Sequence, residues 1–394
     1  MVGRDYYVDK LERLKDSHLI KVITGVRRCG KSTLMEQFQQ HLLGLGVQPE
    51  QIVSLNFEKI EHEPLLEYHA LYDYICGKLT DGRMTYVFLD EVQEVDQFQR
   101  VVDSLFVKDN VDLYVTGSNA RMLSGELATL LSGRYVEIQL LPLSFAEYAS
   151  LVDKDRKVAW TEYFWKGGFP YAATILDDDI WDDYLRGIYH TVLLKDIVER
   201  KKIQDVALLE SVIRFLADNI GSIISPKKIA DSMASNGRKT SPTTIEHYIQ
   251  ALCESYIFYR TRRYDVRGKQ HLKSLEKYYL VDQGLRRLLL GDRRRDVGHI
   301  LENIVFLELV RRGYEVSIGK VGQLEVDFVA SRAGEREYFQ VAATVMADET
   351  FEREIAPLRK IKDNYPKWII TMDELTSEED GIRQVNVMEF LEGR

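Results

Sequence analysis

The sequence predicts an α/β fold: a parallel sheet with a glycine-rich loop, followed by a mainly helical stretch and a second, smaller α/β region. Short apolar runs alternate with helical patterns over the first 145 residues. This alternation is typical of a parallel sheet covered by helices on both faces. We predict strands near residues 19–25, 52–57, 84–90, 111–117 and 134–140.

The first strand leads into Gly-Val-Arg-Arg-Cys-Gly-Lys-Ser, which is a complete P-loop, G-x-x-x-x-G-K-[ST]. Glycines let the backbone wrap a phosphate closely, and the N–H groups that open the following helix attract an anion. Lys31 would contact the β- and γ-phosphates, and the Ser32 hydroxyl would ligate Mg²⁺. The predicted nucleotide-binding residues of this P-loop NTPase sheet are Gly25, Val26, Arg27, Arg28, Cys29, Gly30, Lys31, Ser32 and Thr33.

A second signature is the apolar run from Met84, which ends in the carboxylates Asp90 and Glu91. Asp90 would hold Mg²⁺ through water, and Glu91 would be the general base that polarises the attacking water. The alternative is a pair of solvated acids at a strand end. The P-loop upstream favours the catalytic interpretation, and an Asp-Glu pair favours hydrolysis over nucleotide binding alone.

Two further polar residues are catalytic candidates. Asn119 follows the fourth strand and would position the water or contact the γ-phosphate, although asparagine also simply forms turns. Arg134 opens the fifth strand and is either an arginine finger, in its own chain or a neighbouring subunit, or a surface arginine.

Composition limits the protein class. The chain has 394 residues, 45% of them hydrophobic, which is enough for two to four domains with real cores. Its net charge of −9 argues against a generic polyanion binder. Cys29, Cys76 and Cys253 lack C-x-x-C spacing, so we expect neither disulfides nor zinc, and a reducing cytoplasm fits. A polar N-terminus and the lack of a long apolar run predict no signal peptide and no membrane span. The oligomeric state is left open.

The chain is divided by pattern into four predicted domains. An aromatic-rich helical stretch after the sheet is predicted to be a lid over the nucleotide. Ser225-Pro226 and Ser241-Pro242 are helix-start signals within a winged helix-turn-helix. The predicted bounds are 1–145 for the P-loop domain, 146–204 for the lid, 205–272 for the winged helix and 273–394 for the last domain.

The winged-helix segment reverses the charge of the chain. Between Ser222 and Lys273 there are ten lysines or arginines against four acids, a local balance of +6. A basic island on this motif indicates phosphate-backbone contacts with double-stranded DNA. Winged helices also serve as packing modules, and the third helix has few base-reading side chains. Both interpretations stay open.

The last segment has the order helix, three strands, helix, strand, which resembles the restriction-endonuclease fold. Such nucleases place an acid on the first helix, Asp on the second strand and Glu-x-Lys on the third. Glu302 and Asp327 match the first two positions, whereas Gln340 and Ala342 replace the Glu and the Lys. Lys320 would substitute only if a loop folded back. We therefore expect a degenerate domain kept for packing or binding rather than a nuclease.

Taken together, the chain resembles a prokaryotic family of AAA-type ATPases that carry an N-terminal P-loop domain and a C-terminal domain of unknown function. The resemblance implies adenine nucleotides, ATP and ADP, as ligands, with hydrolysis, a winged helix and a nuclease-like tail. The matching segments span nearly the whole chain. They are Gly25–Ser32, Phe88–Glu91, Thr116–Asn119, Ser132–Tyr135, Leu141–Phe145, Gly167–Pro170, Leu301–Asn303 and Glu325–Phe328.

Three functions follow as hypotheses. The first is an Mg²⁺-dependent ATPase that couples its nucleotide state to DNA or to a protein partner. The second is a slow nucleotide switch that binds a protein partner. The third is an ATP-regulated nuclease, which the departures at Gln340 and Ala342 disfavour.

Overall fold

The chain divides into two compact units. The first runs to Leu141 and includes Glu254–Tyr256, and the second comprises Pro142–Cys253 and the chain from Ile257 on. Over the described residues, no helix combines the length and the apolar character needed to cross a membrane. The computed structural model describes side chains except those of 192–195 and 271, and covers residues 2–80, 82–117, 133–268, 270–271, 275–292 and 296–393.

The first unit contains the predicted parallel sheet, with strands in the order β2-β3-β4-β1-β5. Each predicted strand is confirmed with bounds that differ by at most one residue. Every residue of the first and third strands is buried, as expected for central strands covered on both faces. The strands are β1 Ile20–Thr24, β2 Ile52–Asn56, β3 Thr85–Asp90, β4 Val111–Gly117 and β5 Tyr135–Gln139.

Helices cover this sheet because each presents an apolar stripe to it. In Phe98–Phe106, for example, Phe98, Val101, Val102 and Leu105 recur at helical spacing and are all buried. The helices of the first unit are α1 Asp5–Leu14, α2 Lys31–Gly44, α3 Tyr68–Cys76 and α4 Phe98–Phe106.

The second unit begins with helices whose start points follow from capping. The Ser144 hydroxyl accepts the Glu147 N–H, and the Glu147 carboxylate accepts the Ser144 N–H. This reciprocal pair is a capping box. Ser225 accepts the N–H of Lys228 at the predicted Ser-Pro start. A π-helical stretch, His190–Glu199, continues α7. These helices are α5 Phe145–Val152, α6 Arg156–Lys166, α7 Asp178–Tyr189, α8 Val206–Asp218, α9 Pro226–Ser235, α10 Pro242–Glu254 and α11 Gln283–Leu290.

Asp282, just before α11, explains the Gly167-Gly168 pair. Its buried carboxylate accepts the Gly168 N–H at 2.6 Å and the Gly284 N–H at 2.8 Å. A Cβ atom on Gly167 would lie 2.1 Å from the Asp282 Oδ1. The two glycines therefore let the backbone close around this carboxylate.

The C-terminal part of the second unit contains a mixed sheet in the order β14-β15-β13-β12-β11-β10-β7-β8, and a separate β6-β9 ribbon. The predicted order of helix, three strands, helix and strand is confirmed. The strands are β6 Phe258–Thr261, β7 Arg263–Asp265, β8 Gln270–His271, β9 Lys277–Leu280, β10 Glu315–Val321, β11 Leu324–Arg332, β12 Glu335–Val341, β13 Lys367–Thr371, β14 Glu378–Glu379 and β15 Ile382–Asn386. The helices are α12 Val297–Arg311, α13 Asp348–Arg359 and α14 Val387–Glu392.

Of the strands in the predicted winged-helix segment, 205–272, β7 and β8 belong to this larger sheet, whereas β6 pairs with β9 in the separate ribbon. β7 pairs in parallel with β10, with Arg263 opposite Ile318 and Asp265 opposite Lys320. The predicted boundary at residue 272 thus passes between strands of one sheet. The segment from 205 to 272 supplies three helices and also part of the C-terminal sheet.

Candidate functional site

The loop between β1 and α2 forms a backbone cradle. Gly25 has a φ of +144°, and a Cβ atom there would lie 2.2 Å from the carbonyl oxygen of Leu140. Gly30 precedes α2 in the left-handed region, with a φ of 100°. Both positions require glycine. Because Gly30 has no side chain to cap the helix, the first-turn N–H groups of α2 remain available to an anion.

Lys31 and Ser32 stand in the first turn of α2. The Lys31 side chain is buried, and its Nζ lies 3.3 Å from the carbonyl oxygen of Gly25 and 3.3 Å from Glu91 Oε1. Both contacts are long, so a bound phosphate can replace them as the partner of the Lys31 ammonium. Ser32 and Thr33 are half-buried beside it.

Asp90 ends β3 and is oriented by the two neighbouring strands. The Asn56 amide of β2 donates to Asp90 Oδ2 at 2.6 Å, and the Thr116 hydroxyl of β4 donates to Oδ1. Sequence reasoning missed both partners. The only signal for them was a polar residue near the carboxyl end of each neighbouring strand, where parallel strands bring such residues together.

Glu91 has a strained backbone and an ionised side chain. Its φ of 53° is unusual for a residue other than glycine, and its N–H donates to Thr116 Oγ1 at 2.9 Å. The carboxylate accepts the Gln93 amide at 2.5 Å and faces Lys31. Burial opposes ionisation, but Lys31 and Gln93 outweigh it and lower the pKa of Glu91 below its ordinary value. The buried side chain is therefore held as a carboxylate, which is the form that can accept a proton.

The remaining loop residues shape the cradle. Val26 and Cys29 are buried, and burial raises the pKa of the Cys29 thiol, so this cysteine is a packing residue. Arg27 pairs with Glu58, whereas Arg28 is exposed.

Arg4 is a buried residue that sequence reasoning also missed. Its guanidinium donates to the carbonyl oxygens of Cys29 and Leu141, both at 2.8 Å. It thereby ties the P-loop to the chain that follows β5. No local pattern signals such a contact, because the partners are 25 and 137 residues away.

Of the two remaining catalytic candidates, Asn119 lies outside the described residues. Arg134 stands at the amino end of β5, where its carbonyl accepts the N–H of Ile20. The P-loop follows the opposite end of β1, roughly 16 Å away at about 3.3 Å per residue. Arg134 pairs instead with Asp103 at 2.6 Å. The expectation that it serves as a finger in its own chain is thus corrected, and the role towards a neighbouring subunit stays a prediction.

The donors at this edge of the sheet fit Mg²⁺. Ser32 and Asp90 offer hard oxygen ligands next to the anion cradle. Over the described residues, no group of three or more His, Cys, Asp or Glu side chains is arranged to hold a metal. Magnesium in nucleotide sites usually takes one or two protein ligands, with substrate phosphates and water completing its shell.

A second polar centre lies in the C-terminal region. As predicted, Glu302 of α12 and Asp327 of β11 come together, but the lysine that joins them is Lys277 of β9. Its Nζ lies 2.9 Å from Glu302 Oε1, 2.9 Å from Glu325 Oε1 and 3.7 Å from Asp327 Oδ1. Sequence reasoning missed Lys277 because it precedes the motif and lies on a different ribbon.

Burial and the close opposite charges shift the pKa values of this centre. Burial alone would lower the pKa of Lys277, but the surrounding carboxylates outweigh it and raise the pKa above its ordinary value. Burial and the charge of Glu302 raise the pKa of Asp327 to about 8. A proton on Asp327 therefore relieves part of the negative charge that one ammonium leaves uncompensated.

The predicted helix-turn-helix presents a basic surface. Lys227 and Lys228 open α9, and Arg238 and Lys239 lie in the turn before α10; all four are exposed. Arg260, by contrast, is paired with Glu246 at 2.6 Å. Lys269 and Lys273 lie outside the described residues.

Comparison with known proteins shows which family the chain belongs to. An AAA domain matches residues 17–149, and a domain of unknown function, DUF8612, matches residues 157–296. An uncharacterized protein of Haemophilus influenzae is 42% identical over 398 residues, which cover 99% of this chain and 98% of that protein. This chain belongs to the family of AAA-type P-loop ATPases that carry a C-terminal domain of unknown function.

Two more distant proteins are also similar to this chain. An uncharacterized protein of Methanocaldococcus jannaschii is 27% identical to this AAA-type ATPase, over 93% of this chain and 84% of that protein. The solved Walker-type ATPase PABY2304 of Pyrococcus abyssi has a TM-score of 0.51 at 14% identity. The match covers 73% of this chain and 96% of that protein. At 14% identity it shows a common fold only.

Proposed function

We propose that this AAA-type ATPase binds ATP with Mg²⁺ and hydrolyses it to ADP and phosphate. The observation that carries this proposal is the ionised Glu91 carboxylate 3.3 Å from the P-loop ammonium of Lys31. A general base and a phosphate-binding cation thus stand at one edge of one sheet. A site that only held nucleotide would not need a buried, charged acid there.

Each residue then has a defined task. The N–H groups from Gly25 to Thr33 and the Lys31 ammonium hold the phosphates. Ser32 and Asp90 hold Mg²⁺, which neutralises charge on the phosphates when bound. Glu91 orients a water and takes its proton as the water oxygen bonds to the γ-phosphorus and the bridging P–O bond to ADP breaks. Asn119 is proposed to position the same water.

Two substitutions test this proposal. Glu91→Gln should retain ATP binding while kcat falls by about 100- to 10,000-fold, because only the proton acceptor is lost. Lys31→Ala should lose ATP binding itself. Lys59→Ala removes an exposed lysine from the same unit and serves as the control. If Lys31→Ala left both binding and turnover intact, the site would be wrongly assigned.

We further propose that nucleotide state is coupled to double-stranded DNA through the helix-turn-helix surface. The four exposed cations on and before α9 and α10 support this partner in an otherwise acidic chain. DNA should stimulate steady-state ATP hydrolysis, and the stimulation should weaken as salt rises. The double variant Arg238→Glu/Lys239→Glu should lose the stimulation, while Lys59→Glu should keep it.

The alternative is a slow nucleotide switch read by a protein partner. A flat response to DNA together with ADP retained through purification would favour it, whereas fast multiple turnover would exclude it. We propose a cytoplasmic location, supported by free cysteines. The division into a P-loop domain, helical lid, winged helix and last domain also remains our proposal.

A further inference from the structure

The polar centre of the C-terminal region is already occupied by a cation of the protein. Lys277 contributes a buried ammonium from β9, and three carboxylates surround it at 2.9, 2.9 and 3.7 Å. They come from α12 and β11, where a nuclease of this fold would place its metal ligands. The acids are conventional in position, but the cation is not a metal.

Two of these acids also accept hydrogen bonds from neighbouring groups. Tyr279 donates its hydroxyl to Glu302 Oε1 at 2.7 Å, and the Val341 N–H donates to Asp327 Oδ2 at 2.9 Å. Glu302 Oε2 lies so close to Gly221 that a Cβ atom there would be 2.9 Å from it. A metal would have to displace several of these contacts to reach its ligands.

The third ligand position is satisfied in the same way. The Gln340 amide donates to Glu354 Oε2 at 2.8 Å, and its oxygen accepts the Asp327 N–H at 3.3 Å. A glutamate at 340 would face the carboxylate of Glu354 at hydrogen-bond distance, and the two like charges would repel. Glutamine therefore suits a centre that is held together without a metal.

Space is not what keeps a metal out. Glu302, Asp327, Gln340 and Glu354 line a cavity of about 590 Å³, which is ample for a hydrated ion. The obstacle is the ammonium, since a divalent cation among the same acids would be repelled by its positive charge at close range. The residues present thus do not fit the metal that the fold implies.

We propose that Lys277 is the resident cation of this centre, in place of a divalent metal, and that removing its ammonium turns the centre into a divalent-metal site. The ammonium also joins the β6-β9 ribbon to α12 and β11. The centre is a metal-free ionic link, not a catalytic one. Without Lys277, the buried carboxylates lack their counter-ion, and oxygen-seeking Mn²⁺ supplies it.

The test is Mn²⁺ binding to the full chain in the absence of nucleotide. Calorimetry measures the Kd, and thermal unfolding measures the effect of Mn²⁺ on the melting temperature. For Lys277→Met we expect the Kd for Mn²⁺ to be about tenfold lower, or more, than for the wild type, and Mn²⁺ to raise the Tm. Adding Asp327→Asn should abolish that gain. Weak binding at Ser32 and Asp90 is common to all variants and cancels.

The protein with Lys277 in place provides a second, independent test. Its Mn²⁺ isotherm should be unchanged by Asp327→Asn, and it should not cut DNA with Mg²⁺ or Mn²⁺. Mn²⁺ binding or cutting that Asp327→Asn removes would overturn the proposal. So would a folded Lys277→Met that gains no Mn²⁺ binding. If Lys277→Met and Lys277→Gln are recovered unfolded, refolding with Mn²⁺ should restore a melting transition, and failure to do so counts against the proposal.

Discussion

The hydroxyl of Thr116 donates a hydrogen bond to Asp90 across the pair of adjacent strands β3 and β4. The same oxygen accepts the N–H of Glu91 at 2.9 Å. One side chain therefore fixes both acids that follow the apolar strand, although it touches neither nucleotide nor water in the proposed reaction. It is a positioning residue.

Thr116→Val keeps the shape of the side chain and removes both hydrogen bonds. Because the Glu91 N–H is then buried without a partner, we expect the free energy of unfolding to fall by about 1–3 kcal/mol. We expect kcat to fall by about 10- to 100-fold with a smaller change in KM. Thr116→Ser retains the hydroxyl and should recover most of the activity. Urea unfolding and steady-state kinetics check both expectations.

The pH dependence of stability should show the charge on Glu91. Its folded-state pKa lies below the ordinary value of 4.5, so ionised Glu91 contributes stability above pH 4.5. That contribution is lost as pH falls through the folded pKa. The difference in unfolding free energy between the wild type and Glu91→Gln should therefore be constant from pH 8 to about pH 5.5 and shrink below pH 4.5. A difference that grew on acidification would mean that the pKa is raised instead.

Arg4→Met should loosen the P-loop from outside the motif. Two buried carbonyl groups lose a charged donor, so we expect a loss of about 1.5–3 kcal/mol in unfolding free energy and weaker ATP binding. Arg13→Met, which alters an exposed arginine of α1, is the matched control. Equal effects of the two substitutions would show that Arg4 has no special link to the loop. Thermal unfolding and nucleotide titration measure the two quantities.

Gly25→Ala should abolish ATP binding. The added methyl would lie 2.2 Å from the carbonyl oxygen of Leu140, so the loop or the end of β5 must move. Gly44→Ala is the control, because a Cβ atom there meets nothing within 4 Å and alanine suits a helix better than glycine. Binding of a fluorescent ATP analogue to both variants decides the matter.

The five strands of the parallel sheet could be predicted from the sequence because the signals for a strand are local. A buried strand is a continuous apolar run, and Ser225 before Pro226 marks a helix start without knowledge of the rest of the fold. Asn56, Thr116 and Arg4 could not be found this way, since each acts on a residue distant in the chain.

Two other residues show the same limit. The sequence correctly predicted that Arg134 lies at the start of a strand. It could not show that this end of the strand is opposite the P-loop, because that depends on the direction in which β5 pairs with β1. Lys277 reaches the acids from a ribbon outside the motif, and no spacing rule connects it to Asp327.

The parallel pairing of β7 with β10 bears on how this protein can be divided for study. A fragment beginning at residue 273 would lack β7 and β8, so the backbone groups of β10 would form an open edge. Unpaired edges recruit strands from other molecules, and such a fragment should self-associate when expressed. Biochemistry on the C-terminal region therefore calls for a truncation that starts upstream of Arg263.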